Sequence, residues 1–211
     1  MKVSEILTED FITDEEEMLR WVRESCTNEA RDIYKNHLSI NNGFVDSDRE
    51  IIVRENVKRL RVKFGKVRQH FSARGGLTSM MGLPQEIVPT ENDNETWISF
   101  AGCRFNKIDH KLPFVFEAEF SGCTNLTDLT GIEKYVSCEQ IFLPITIKKG
   151  MLSLMKIPQL KAVHVTTSED PKQNADVSKA TNIITMYLGK GRAGMIDAQE
   201  KLSDADLEDL I

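Results

Sequence analysis

Leu77-Thr78-Ser79-Met80-Met81-Gly82-Leu83-Pro84 returns in degenerate form as Leu126-Thr127-Asp128-Leu129-Thr130-Gly131-Ile132-Glu133. It returns again as Met151-Leu152-Ser153-Leu154-Met155-Lys156-Ile157-Pro158. Apolar residues hold the first, fourth and seventh positions of each copy. A short unit cannot bury such a face alone, so it stacks on its neighbours, which is the logic of a solenoid. An antiparallel β-sandwich with evenly spaced strands is the competing architecture.

Working outward, each copy follows a short apolar run with strand-like alternation. The runs cover residues 51–53, 70–72, 97–100, 116–120, 140–143, 162–165 and 183–187. From Phe100 the matching positions are Phe120, Leu143, Val165 and Tyr187, in steps of 20, 23, 22 and 22 residues. A strand, a turn and an irregular return leg fill roughly 20–29 residues in a leucine-rich coil. Leu77, Met80 and Leu83 then point inward with the strand residues, as do Leu126, Leu129 and Ile132, and Met151, Leu154 and Ile157. A weaker copy passes through Phe105, Ile108, Leu112 and Pro113. The fold class expected is α+β: a leucine-rich-repeat-like solenoid with a stacked short-strand sheet and an N-terminal capping helix.

The segments Ile40-Asn41-Asn42-Gly43-Phe44-Val45-Asp46 and Leu60-Arg61-Val62-Lys63-Phe64-Gly65-Lys66-Val67, followed by the Leu77-Thr78-Ser79-Met80 block and Gly82-Leu83-Pro84, carry a resemblance. The chain resembles the phage leucine-rich-repeat-like proteins of large tailed bacteriophages, closely over residues 38–90 and more loosely up to about 190. The resemblance implies a repeat scaffold for binding and transfers no catalytic residue. The family's Cys and Asn positions are largely replaced by Ser72, Ala73, Gly75 and Gly76, with Asn125 the clear survivor. Backbone groups in the turns therefore need other partners.

The division expected is a flexible segment at 1–12, an amphipathic capping helix at 13–37, the solenoid at 38–190, and a glycine-rich linker with an acidic tail at 191–211. Thr13 and Glu16 form a capping-box pattern. Met18, Trp21, Val22, Cys26, Ala30, Ile33 and Tyr34 then follow with helical spacing to about Lys35. Such a helix covers the open first coil. Leu7-Thr8-Glu9 resembles the cleavage site of the removable peptides of internal head proteins in large tailed phages.

The strongest charge feature lies between Arg49 and Arg74, where nine Lys or Arg residues face only Glu50 and Glu55. Arg54, Lys58, Arg59, Arg61, Lys63, Lys66, Arg68 and Arg74 are the candidate partner-binding residues, for an acidic protein or for phosphates. The whole chain carries −6, which weighs against a dedicated nucleic-acid domain. Phe64, His70 and Phe71 within the band read as strand residues directed to the core rather than base-stacking platforms. At the other end, Leu207, Leu210 and Ile211 form an acidic, apolar tail after Gly189-Lys190-Gly191. This tail resembles the peptides by which phage replication and transcription factors dock on a sliding clamp, or it packs as a final helix on the last coil.

Cys26, Cys103, Cys123 and Cys138 never form a Cys-x-x-Cys pair and the four histidines are scattered, so no metal site and no cofactor is expected. Cys103 and Cys123 occupy equivalent inward positions one coil apart, as buried thiols. No nucleophile elbow, carboxylate-pair motif or complete phosphate loop appears, and His164 with Glu169-Asp170 reads as ordinary loop chemistry. No apolar run reaches membrane-spanning length, and the first residues lack a secretory core. The function expected is a non-enzymatic phage protein-binding module in the host cytoplasm, with the strand face and the basic band of the early coils as its contact surface. The alternatives are a nucleic-acid-associated regulator using the basic band, and a head protein packaged in the virion interior.

Overall fold

The computed structural model describes residues 11–27, 36–92 and 94–165. A helix, α1 (Glu15–Ser25), precedes ten strands: β1 (Leu38–Asn41), β2 (Phe44–Ser47), β3 (Ile51–Val53), β4 (Lys63–Arg68), β5 (His70–Ala73), β6 (Glu86–Val88), β7 (Trp97–Ser99), β8 (Glu117–Glu119), β9 (Gln140–Leu143) and β10 (Ala162–Val165). Six of them, in the order β3-β5-β7-β8-β9-β10, pair in parallel as one long ladder. Parallel neighbours need a full crossover between them, and each crossover here is one coil of the chain. The molecule is a β-solenoid with the helix α1 near its N-terminus. Six of the seven strand runs legible in the sequence are these rungs; the seventh, 183–187, lies outside the described residues.

The register sets which side chains stack. Ser99 pairs with Glu119, Glu119 with Phe142, and Val165 with Leu143, which places Phe100, Phe120, Leu143 and Val165 in one column. The rings of Phe100 and Phe120 stack with centroids 5.5 Å apart. A second inward column runs Ile51, Phe71, Ile98, Ala118, Ile141 and Val163, all buried. Each large side chain so buried contributes about 1.5–3 kcal/mol relative to exposure. The return legs supply the rest of the core, from Leu77, Met80, Leu126, Leu129 and Ile132 to Phe105, Ile108 and Leu112.

Two details depart from the sequence reading. A second sheet, in the order β1-β2-β4-β6, gives the first three coils two strands each. It begins with the β1–β2 hairpin, whose Asn42-Gly43 turn has the two positive φ values, 50° and 81°, that a tight hairpin demands. The coil is thus more strand-rich than the one-strand unit expected. The third copy of the repeat also falls out of phase. Asp128 pairs with Lys149, so Leu126 stands in register with Ile147, and Met151 follows a left-handed Gly150 just as Ile132 follows a left-handed Gly131. Met151 is therefore the counterpart of Ile132 rather than of Leu126.

Polar groups on the return legs are satisfied coil to coil. The Thr78 hydroxyl donates to the Lys58 carbonyl at 3.1 Å, the Asn125 amide to Arg104 at 3.2 Å, and the Thr146 hydroxyl to Leu126 at 2.9 Å. Asn125 keeps the asparagine role, and threonines take it in two other coils.

The helix is shorter than expected and its cap sits one residue later. Asp14, not Thr13, accepts the Glu17 N–H at 2.8 Å, and Glu15, Glu16 and Glu17 fill the positive first turn. Its end comes at Ser25 because the chain then turns extended to pair with the exposed edge of β3. Cys26 bridges Val53 antiparallel, the Thr27 N–H bonds Ile52, and the Arg54 N–H bonds Ser25. Met18 and Val22 are fully buried in the common core, so the helix covers the first coil. Ala30, Ile33 and Tyr34 lie outside the described residues.

Candidate functional site: three cationic clusters and a polar-aromatic sheet face

All eight candidate cations are exposed, yet the coil geometry divides them. Arg54 and Arg74 follow β3 and β5 and are neighbours in register, the Arg74 N–H bonding the Val53 carbonyl; the Arg54 guanidinium donates to Cys26 O at 3.1 Å. Lys58, Arg59 and Arg61 lie on the leg between β3 and β4. Lys63, Lys66 and Arg68 are the exposed residues of β4. A band of this length exceeds one coil, so it wraps around the solenoid instead of forming one stripe.

The middle cluster meets a cleft of about 670 Å³, walled by Phe11, Trp21, Val57 and Leu60 with Lys58, Arg59 and Arg61 at its rim. No carboxylate is among its lining residues within the described part of the chain. Trp21 comes from α1, while Phe11 is held in place because the next residue, Ile12, donates its N–H to the Arg61 carbonyl at 2.9 Å. The Lys63 ammonium lies 5.1 Å from the centre of the Phe11 ring and 5.7 Å from that of Phe44. Helix cap and first return leg thus build the cleft together.

The β4 cluster is more neutral. Lys66 pairs with Glu86 at 3.2 Å, its backbone N–H bonds Asp46, and Lys66 and Arg68 share a cavity of about 420 Å³ with Asp46, Asp48 and His37. His37 Nδ1 lies 2.7 Å from Asp48. Local carboxylates offset the cations here.

A second surface is the outward face of the long ladder, a strand face the sequence suggests as a contact surface without naming the residues that meet on it. Residues that alternate with the two core columns form two outward columns, Glu50-His70-Trp97-Glu117-Gln140-Ala162 and Ile52-Ser72-Ser99-Glu119-Phe142-His164. Trp97, Glu117, Glu119, Gln140 and Phe142 are half-buried by one another. The Ser99 hydroxyl donates to Glu119 at 2.6 Å. Partial burial, reinforced by the neighbouring Glu119, raises the Glu117 carboxyl above its ordinary range. Phe142 and His164 stack with centroids 4.4 Å apart, and His70 meets Trp97 edge-on at 4.9 Å. His164 therefore belongs to a strand face, not to a loop; Glu169 and Asp170 lie outside the described residues. Phe64 and Phe71 are buried, as the alternation predicts, while His70 faces outward.

The four cysteines are buried and free, and no group of three metal-binding side chains occurs among the described residues. No described helix is long and apolar enough to cross a membrane. Leu207, Leu210, Ile211 and the Leu7-Thr8-Glu9 segment fall outside the described residues. No protein-family model, curated protein or solved structure matches the chain.

Proposed function

We propose that the chain is a non-enzymatic binding module of a large tailed bacteriophage, built on a leucine-rich-repeat-like solenoid and acting in the host cytoplasm. It engages an acidic protein surface through the cleft between α1 and the first return leg. The observation that carries this reading is the meeting of two aromatic walls, Phe11 and Trp21, with Lys58 and Arg61 in one cleft. Buried aromatic anchors supply affinity, while rim charges steer an acidic partner and set its register.

The division of the basic band favours this reading over a nucleic-acid regulator. Phosphate tracking needs cations along one continuous path. Here they point from several sides of the coil, and one cluster sits beside Asp46, Asp48 and Glu86. The test is a photo-crosslinking residue at Asn56, on the cleft wall, in full-length protein expressed during infection. Crosslinks to an acidic protein that vanish in the double variant Lys58→Glu, Arg61→Glu support the reading. Identical crosslinks in the variant move the interface elsewhere, and crosslinks to nucleic acid replace it with the regulator.

A further inference from the structure

We propose that the cleft between α1 and the first return leg is the docking site of the chain's own acidic segment, residues 202–211, which folds back and holds the site against weak partners. This rests on the reading of the cleft as a seat for acidic, apolar surfaces and names one such occupant. Phe11 and Trp21 are half-buried, so each keeps ring surface for a further apolar side chain, and Lys58 and Arg61 beside them are exposed. Residues 202–211 carry both complements. Asp204, Asp206, Glu208 and Asp209 stand there with no Lys or Arg among them. Leu207, Leu210 and Ile211 have the i, i+3, i+4 spacing that lays one apolar stripe into a groove.

The connecting chain is long enough. Val165 ends β10, five strand spacings from β3 and so roughly 24 Å along the stack from the first coil. If residues 183–187 add one more rung, the way back is roughly 29 Å. The 14 residues from 188 to 201 span up to roughly 46 Å when extended, which leaves length to round the coil as well. Tethering converts docking into an intramolecular event with an effective concentration on the order of millimolar, so modest complementarity suffices. Residues 1–10, joined to the cleft through Phe11, are the competing occupant. Lys2 there offsets one of Glu5, Glu9 and Asp10, which leaves half the net charge of residues 202–211 to meet Lys58 and Arg61.

The experiment uses the full chain with a photo-crosslinking residue in place of Ser203, which shares the stripe of Leu207 and Leu210 at helical spacing. Irradiation in dilute solution, read by mass spectrometry, should give crosslinks within one molecule to the peptides that hold Trp21 or Lys58 and Arg61. Asp206→Lys with Asp209→Lys should lower that yield about tenfold, the scale of two lost charge contacts. Adding Lys58→Glu and Arg61→Glu to that variant should restore it, a rescue that misfolding would not produce. In infected cells, Leu207→Ser with Leu210→Ser should raise the partner crosslink at Asn56 about threefold or more, because the cleft is then open in more of the molecules. Four results overturn the inference and leave the acidic-protein reading standing: crosslinks from position 203 confined to the last coil, crosslinks only between two molecules, a yield indifferent to the charge changes, or a partner yield unchanged by the leucine variant. Cleft crosslinks from a reporter at Leu7 with none from position 203 give the site to residues 1–10 and overturn it too. Intramolecular crosslinks with no acidic protein captured at Asn56 support the inference and remove the acidic-protein reading instead.

Discussion

Thiol protons serve as hydrogen-bond donors between coils. Cys103 Sγ lies 3.4 Å from the Ala73 carbonyl, and Cys123 Sγ 3.0 Å from that of Phe100, each one coil back. Burial pushes the thiols of Cys26, Cys123 and Cys138 up to about 12 and raises Cys103 as well. Only the thiolate is nucleophilic, so none of the four should react with a disulfide reagent near neutral pH until guanidinium unfolds the chain. Rapid labelling of any one in the native protein would contradict that burial. The opposite sign applies to His70, whose imidazole is lowered from the ordinary 6.5 chiefly by burial, against the opposing pull of Glu50. Its Nδ1 is 3.5 Å from Glu50, while its Nε2 is buried without a partner in the structure. The unfolded chain then binds the extra proton first as pH falls below about 6.5, so stability declines on acidification. His70→Phe should flatten the dependence of Tm on pH between about 7 and 5. An unchanged slope would assign that dependence to other groups.

Elements in this fold are short and are fixed by the turns that bound them. Gly131 and Gly150 both adopt left-handed backbone, φ 89° and 82°, before the 3₁₀ segments Ile132–Lys134 and Met151–Lys156. They differ in what a side chain would meet. A Cβ on Gly131 has only the Tyr135 ring edge at 4.0 Å, whereas one on Gly150 presses on the Thr130 N–H and lies 2.7 Å from the Leu129 carbonyl carbon. Gly131→Ala should therefore cost about 1 kcal/mol, from backbone strain alone. Gly150→Ala carries the same strain plus the clash and should cost about 1–3 kcal/mol. Denaturant melts rank the two directly, and equal losses would mean the coils slide apart freely. Helical spacing alone extended α1 to Lys35. The edge of β3 decided otherwise, because pairing Cys26 with Val53 satisfies strand groups that a longer helix would have left open.

At the scale of the molecule, stability is a sum over coils and the contacts between neighbours. The first coil depends on α1, which contributes Met18 and Val22 to the core and blocks the β3 edge. Removing residues 1–27 should expose that edge and its apolar floor, giving concentration-dependent association by size-exclusion chromatography with light scattering. A variant that stays monomeric with an unchanged melt would show that α1 is dispensable. In the middle of the stack, Phe120 contacts Phe100 and Phe105 with ring centroids 5.5 and 6.3 Å away. Phe120→Ala should cost about 3–5 kcal/mol, since packed neighbours on both sides limit collapse of the cavity. A loss well below that range in a denaturant melt would mean the adjoining coils close over the gap.

The sequence by itself determined the stacking and its period. Side chains two apart on a strand face the same way, so a column such as Phe100, Phe120, Leu143 and Val165 can be read from spacing alone. It also marked the exposed cations, because charge in so short a stretch cannot be buried. Only the tertiary structure decided which of those cations share a surface. Lys58 and Arg61 meet Phe11 and Trp21 through contacts between segments some 40 residues apart in the chain, a distance that no local pattern encodes. Which residues meet on the ladder face was hidden for the same reason. Glu117 and Glu119 are unremarkable in a strand until the register sets Trp97 on one side of them and Phe142 on the other.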